Sequence, residues 1–240
     1  LAYERFFPEV FKAARGQYFT PRPVIDVAVA LARLQPGESV LDPTCGSGGF
    51  LSSAWRRGAR VSGVEIDPEL VALARLHLAL VGADASAVSR GDLFRDPPGA
   101  PVDVILANPP FSVDLSDSAA LAESTLAAGR ERVQSDVLFL ESAWRRLLPG
   151  GRMVVVLPYS LVANPTFRYV RDWLLERFVR TGVVALPEGI FRPFGGAAGR
   201  AVVVGLVRRP APADWWITTR IVDPGFDVRR KALVMTDSTE

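Results

Sequence analysis

Strand-like and helix-like patterns alternate along almost the whole chain. That alternation predicts an α/β fold: an open, doubly wound, mostly parallel seven-stranded sheet with helices on both faces. Two observations support it. Runs such as 102–107 are apolar except at Asp103, as strands buried on both faces largely are. The 240 residues are 49% hydrophobic and 22% charged, an ordinary globular composition that suffices for one large α/β domain.

The elements follow in order. Residues 3–15 read as a helix, although Pro8 interrupts the pattern. Thr20 is placed to cap the next helix, with Pro21 at its first position and 24–34 as its body. A short strand covers 39–41, a glycine-rich loop 42–49, and a helix 50–57 that stops at Gly58. The second strand is 60–64. Asp67 caps and Pro68 opens a helix to Leu80, closed by Gly82. Strands are expected at 85–89 and 102–107. A helix over 135–148 ends at Pro149-Gly150-Gly151, and 153–157 is the fifth strand. Asn164 and Pro165 open a helix to Phe178. Strands six and seven are 183–186 and 201–207, and 215–222 reads as a further edge strand. The division is a helical lead-in (1–20), one domain (21–210) and a C-terminal strand and tail (211–240).

Composition excludes several classes. One cysteine, Cys45, permits no internal disulfide and fits a reducing compartment. One histidine, His77, in an apolar helical run, argues against a histidine-rich metal site or a Ser-His-Asp triad; it reads as structural. No run of 18 or more apolar residues is present, so no membrane span is expected, nor is a signal peptide visible. A formal charge of +2 is mildly basic and does not by itself establish nucleic-acid binding. Lysine occurs only at 12 and 231, so the other basic residues are arginines.

In a doubly wound sheet, ligands bind beyond the carboxyl ends of the strands. Four consecutive strand ends carry polar clusters: Asp42 with Gly46-Ser47-Gly48-Gly49, Glu65-Ile66-Asp67, Asp92-Leu93, and Asn108-Pro109-Pro110-Phe111. The glycine loop allows a ligand to approach the backbone closely. It departs from G-x-G-x-x-G, because Leu51 stands where the third glycine would be, which weakens a nicotinamide reading. Glu65 is placed to accept from ribose hydroxyls. Asp92 is placed to accept from the exocyclic amine of an adenine, with Ile66 and Leu93 on either side of the ring. A solvated acid and a turn cap are the plain alternatives for the two acids. Cys45 reads as a small filler. At the fourth end the prolines remove two backbone donors and stiffen the turn, leaving carbonyls and the Asn108 oxygen as acceptors. With the flat face of Phe111 beside them, they suit a planar group carrying an exocyclic amine. A stiff turn with a buried Phe is the alternative.

The chain resembles the N6-adenine DNA methyltransferases, in particular the methylation subunit of type I restriction–modification systems. The matching stretches are Gly16-Gln17-Tyr18-Phe19-Thr20-Pro21, Asp42-Pro43-Thr44-Cys45-Gly46-Ser47-Gly48-Gly49-Phe50, Val64-Glu65-Ile66-Asp67, Gly91-Asp92-Leu93-Phe94 and Asn108-Pro109-Pro110-Phe111. Leu148-Pro149-Gly150-Gly151-Arg152 and Leu186-Pro187-Glu188-Gly189-Ile190-Phe191 also look like that family. One departure is Gly196-Ala197-Ala198-Gly199, where the family often carries a Thr-containing turn. The resemblance implies a class I, Rossmann-like methyltransferase fold with S-adenosylmethionine held by the 42–49 loop through Asp42, Thr44, Gly46 and Gly48. Glu65 and Ile66 would meet its ribose and ring, Asp92 and Leu93 its adenine. Tyr18, Thr20 and Pro21 would hold the methionine end, with Asn108 between cofactor and base. Asn108 and Pro109 would accept from the N6 amine of a flipped-out adenine in double-stranded DNA, beside Pro110, with Phe111 stacked on the base. No metal is implied.

The same resemblance implies a cytoplasmic restriction–modification enzyme. Few residues follow the seventh strand, and the chain begins at Leu1. A target-recognition part is therefore expected outside this chain, in a specificity subunit or a longer protein. Methylation of a protein glutamine or an RNA base is the competing activity. A non-catalytic methyltransferase-like module is the reading from another class.

Overall fold

The computed structural model describes residues 19–96, 99–191, 199–209, 226–229 and 232–235. The helix expected over 3–15, the strand expected over 215–222, Tyr18, Arg192 and loop residues 194–196 lie outside the described residues. Seven strands form one sheet: β1 (Ser39–Asp42), β2 (Arg60–Glu65), β3 (Val88–Arg90), β4 (Val102–Ala107), β5 (Leu147–Pro158), β6 (Phe178–Ala185) and β7 (Ala201–Arg208). Their spatial order is β3-β2-β1-β4-β5-β7-β6. All neighbours run parallel except β7, which is antiparallel to both β5 and β6. A short antiparallel ribbon, Phe226–Arg229 with Ala232–Met235, follows.

The longer helices are α1 (Arg22–Ala32), α2 (Gly49–Trp55), α3 (Pro68–Leu80), α4 (Ser135–Arg145) and α5 (Arg168–Arg177), with two short ones at Ser118–Ala122 and Tyr159–Ala163. One sheet face, with Val40, Val104, Leu106, Val154, Val156 and Val203, packs against α1 and α2. The other, with Ile105, Ala107, Met153, Val155, Leu157 and Val204, packs against α4 and α5. Successive strand residues therefore go to opposite cores, so the central strands read as continuous apolar runs. Over β1–β3 the layering is uneven. α3 covers one side through Val71, Ala74 and Leu78. On the other side β3 reaches β4 through residues 91–101 with no helix among the described residues. That leaves a cavity of about 610 Å³ lined by Ser39, Leu41, Ser62, Val64, Ser89 and Arg146.

Local chemistry explains most element ends. Asp67 caps α3, its carboxylate accepting from Glu69 N and Leu70 N with Pro68 in the first turn. Four expectations shift. Thr20 does not cap α1; Pro21 takes that position and no side chain caps the helix. The expected strand at 85–89 begins as a 3-10 turn, Ala85–Ala87, because the Asp84 carboxylate accepts from Ser86 N. Asn164 does the same for Thr166 N, so Pro165–Phe167 is a 3-10 turn before α5. The helix ending α4 stops at Arg145, and β5 starts already at Leu147. Val102 pairs with Leu147 and Val104 with Arg152, so Pro149-Gly150-Gly151 bulges out between two paired ends. A Cβ at Gly151 would lie 2.8 Å from the Leu148 carbonyl oxygen and 2.9 Å from that of Asp103.

The amino ends of the central strands are tied by one partly buried ion pair. Arg152 donates to Glu38 Oε1 at 2.8 Å and to the carbonyls of Ala32 and Arg33, the last of α1. Burial pushes Glu38 up, but hydrogen bonds from Arg152 and Gln35 N outweigh it and hold the carboxyl below its ordinary range.

Two outcomes are expected from this end of the sheet. Glu38→Gln removes the carboxylate to which Arg152 donates and costs about 2–3 kcal/mol in urea unfolding at pH 7. Because the folded-state pKa is depressed, that difference is complete above about pH 5 and fades as pH falls through the carboxylate range. An undiminished difference at pH 3 would show that the ion pair is not its source. Gly151→Ala forces two backbone carbonyls aside and lowers stability by about 2 kcal/mol or more; a wild-type midpoint would refute the close approach.

Candidate functional site

β3, β2, β1 and β4 are adjacent and parallel, so their four polar carboxyl ends come together at one edge of the sheet. Asp42, Glu65, Asp92 and Asn108 are thereby neighbours by topology although 66 residues separate the first from the last.

The glycine loop is held from β2. Cys45 N donates to the Val64 carbonyl at 2.9 Å and Gly46 N to Glu65 Oε2 at 2.9 Å. The other Glu65 oxygen accepts from Asp67 N at 2.9 Å. The Glu65 carboxylate thus joins the loop to the start of α3, and each oxygen keeps a lone pair for a further donor. Gly46 (φ 51) and Gly48 (φ 77) both adopt left-handed conformations, and Gly48 is the N-cap of α2. His77 meets the Ser47 carbonyl at 2.9 Å through Nδ1. Cys45 is buried, and burial, with Asp42 and Glu65 nearby, pushes its thiol up, away from thiolate chemistry.

Asp42 is 1% exposed, and Thr44 N donates to its Oδ1 at 3.1 Å. Burial pushes its pKa up to about 8, against the Thr44 N–H and with the Glu65 charge adding to the rise.

At the end of β3, Asp92 accepts from Phe94 N at 2.9 Å through Oδ1, so it does serve as a turn cap; Oδ2 lies 3.7 Å from Arg95 Nε. Ile66 is 57% exposed, whereas Leu93 is buried in the core. Of the two side chains expected on either side of a ring, only Ile66 presents an open apolar surface.

At the end of β4, Asn108 Nδ2 donates to Thr20 Oγ1 at 3.1 Å. Thr20, next to Pro21, comes to the site from 88 residues upstream as a holder of the Asn108 amide. Asn108 Oδ1 is buried and has no hydrogen-bond partner among the described residues. A buried acceptor without a donor costs about 1–3 kcal/mol and marks a place built for one. The Pro110 carbonyl accepts from Ser135 Oγ at 2.7 Å, which commits it and leaves that of Pro109 as the candidate second acceptor. The Phe111 ring meets Phe191 edge-on, centroids 6.0 Å apart at 87°. Phe191 is 5% exposed and closes the 186–191 segment against the core.

Sequence patterns did not single out Ser135, Asp136 or Phe191 for this site. Ser135 and Asp136 read only as the start of a helix. Among the described residues no group of three or more His, Cys, Asp or Glu side chains could hold a metal ion.

The family described as N-6 DNA methylase matches residues 2–204. The chain is 28% identical over 215 residues to the type I restriction enzyme EcoEI methylase subunit of Escherichia coli, covering 81% of this chain and 43% of that protein. It is 29% identical over 218 residues to the type II methyltransferase M.TthHB8I of Thermus thermophilus, covering 85% and 48%. It therefore spans less than half the length of these two relatives. The solved methyltransferase subunit of a type I restriction-modification system from Streptococcus thermophilus superimposes with a TM-score of 0.79 at 24% identity, over 99% of this chain and 54% of that one. That likeness establishes the class I methyltransferase fold. By the match over most of its length, the chain belongs to the N-6 DNA methylase family.

Proposed function

We propose that this chain is the catalytic part of a DNA methyltransferase that modifies the N6 amine of a flipped-out adenine. The observation that carries this reading is the buried, partnerless Asn108 Oδ1 at the carboxyl end of β4. An adenine amine offers two donors, and Asn108 Oδ1 with the Pro109 carbonyl offers two acceptors. Its lone pair is delocalised into the ring and is a poor nucleophile. Acceptors out of the ring plane favour a tetrahedral nitrogen and free that lone pair. Asn108 and Pro109 then hold the amine protons, Thr20 holds the Asn108 amide in register, and Phe111, steadied by Phe191, offers the base a stacking face. Stacking of about 1–3 kcal/mol offsets part of the few kcal/mol that extrusion from a duplex costs.

The other half of the site fits S-adenosylmethionine, which supplies an electrophilic methyl group when bound. Gly46 and Gly48 give the backbone close approach. Asp42 and Glu65 supply acid for a cationic ligand with a ribose, and Ile66 offers apolar surface beside Asp92. Asp42, Thr44, Gly46, Gly48, Glu65, Ile66, Asp92 and the backbone of Leu93 are the proposed cofactor residues, with Thr20 and Pro21 at the methionine end. Because this chain spans less than half the length of these relatives, sequence recognition is assigned to a specificity subunit or region outside this chain. No described helix is long and apolar enough to cross a membrane.

The direct test supplies isotope-labelled S-adenosylmethionine and duplex DNA to the protein with a candidate specificity subunit, followed by nucleoside mass spectrometry. N6-methyladenine is expected with wild type, with a loss of at least about 100-fold for Asn108→Ala. Label in protein or RNA instead would overturn the reading. Thr20→Val removes the partner of the Asn108 amide and is expected to slow methyl transfer about tenfold, about 1.4 kcal/mol in the barrier; an unaltered rate would remove Thr20 from the acceptor half. Asp42 gives a pH signature. A bound cation lowers its pKa from about 8, so cofactor binding releases a proton at pH 7 and tightens as pH rises toward 8. Calorimetry in buffers of different ionisation enthalpy is expected to detect that proton in wild type and not in Asp42→Asn. Equal heats in all buffers for wild type would separate Asp42 from the cofactor.

A further inference from the structure

After Ala107 the chain leaves the sheet and returns to it only at β5, beyond α4. The neck of that excursion is closed by an antiparallel ribbon, Asp114 opposite Gln134 and Leu115 opposite Val133. Next to it lie the first two residues of α4, both buried: Ser135 is 1% exposed and Asp136 not at all. Ser135 Oγ donates to the Pro110 carbonyl at 2.7 Å and accepts from Val113 N at 3.3 Å, while Ser135 N donates to the Val113 carbonyl at 2.8 Å. Asp136 Oδ2 accepts from Ser112 N at 3.3 Å and Oδ1 from Val137 N at 3.0 Å.

We infer that Ser135 and Asp136 are positioning residues for the 108–111 acceptor loop, gripping it on either side of Phe111. Pro109 and Pro110 have no N–H, so this part of the loop can be held only through its carbonyls and through donors from Phe111 onward. Ser135 takes the carbonyl before Phe111, and Asp136 takes the N–H after it. Ser112 stands at φ 54, a left-handed conformation that a non-glycine residue keeps only when its surroundings impose it. The Asp136 acceptor, fixed in the first turn of α4, is such a restraint. Burial pushes its carboxyl up, and the Ser112, Val137 and Asp136 N–H groups oppose that rise. Released at both points, Phe111 and the Pro109 carbonyl would lose their common orientation while the 42–49 loop, held from Glu65, stayed in place. The inference rests on the proposed methyl transfer for its kinetic consequence, but not for the grip itself.

The test compares wild type with Ser135→Ala, Ser135→Thr and Asp136→Asn, each with the candidate specificity subunit and unmethylated duplex DNA of mixed sequence. Ser135→Ala and Asp136→Asn are expected to lower kcat by about 10- to 100-fold, as misplaced reacting groups do. KM for S-adenosylmethionine and its binding stoichiometry should stay within about twofold. Ser135→Thr keeps the hydroxyl and should restore kcat to within about threefold. Amide hydrogen exchange supplies the readout independent of activity: residues 111–115 exchange faster in Ser135→Ala and Asp136→Asn, and residues 44–49 do not. Unchanged exchange at 111–115 would overturn the grip. A kcat that falls only in proportion to the cofactor-binding fraction, or a Ser135→Thr as slow as Ser135→Ala, would overturn the positioning role. A wild type that binds S-adenosylmethionine, makes no N6-methyladenine and still shows the exchange difference would sink the functional reading and leave the grip standing.

Discussion

The Glu65 carboxylate is the group on which the arrangement of the candidate site depends. It ends β2, accepts from Gly46 N in the glycine loop and from Asp67 N at the start of α3, and its carbonyl accepts from Gly91 N where β3 ends. Two segments that a ligand would touch are thus tied to one buried side chain, and a third to the backbone carbonyl of the same residue. Charge-assisted bonds of this kind are roughly twice as strong as neutral ones. The same two oxygens retain the lone pairs that a ribose would use. Loop closure and acceptor geometry are therefore not independent: a change at Glu65 that spared its charge but moved its oxygens would also move the loop. Asp67 adds to this by capping α3 with its own carboxylate.

The second half of the site is built by the opposite means. Here the structure leaves an acceptor unsatisfied. Among the described residues Asn108 Oδ1 has no donor: the next two residues are prolines, and Thr20 takes the amide nitrogen. The rigid turn, the edge-on contact of Phe111 with Phe191 and the first turn of α4 all resist the small rotation that would let Asn108 find a partner. Stability is given up locally, by about 1–3 kcal/mol, and the large two-sided core of β4, β5 and β7 supports the loss.

The order of strands and helices through β5 was legible in the sequence because it rests on local signals: Asp67-Pro68, Gly58 and Gly82 as stops, and apolar runs too short for helices. Four strand ends bearing polar residues were legible for the same reason. What was not legible depends on contacts distant in sequence. Thr20 looks like a helix cap, and only the folded chain brings it 3.1 Å from Asn108. Asp84 and Asn164 were strong enough local acceptors to turn the next three residues into 3-10 turns, which periodicity does not register. Pro149-Gly150-Gly151 looks like a loop and is instead a bulge inside β5, held by pairing on both sides. The reversal of β7 and the ribbon at Asp114–Leu115 leave no mark in composition. The Glu65 reading carried ligand chemistry but missed that the side chain also holds the loop.

The two halves also divide the electrostatic work. The half around Asp42, Glu65 and Asp92 is acidic, and one of its acids is already protonated near neutrality because burial and a like charge leave no room for another anion. A carboxylate at position 108 would enlarge that cluster, and its own pKa would rise for the same reasons. It would then accept or donate according to pH. An amide stays an acceptor at Oδ1 whatever the pH, and the Pro109 carbonyl likewise. Asn at the end of β4 thus keeps a neutral acceptor beside the acids at the ends of β1 and β2. With an acidic half that suits a cation and a neutral half that suits an amine, neither ligand has to compete for the other's partners.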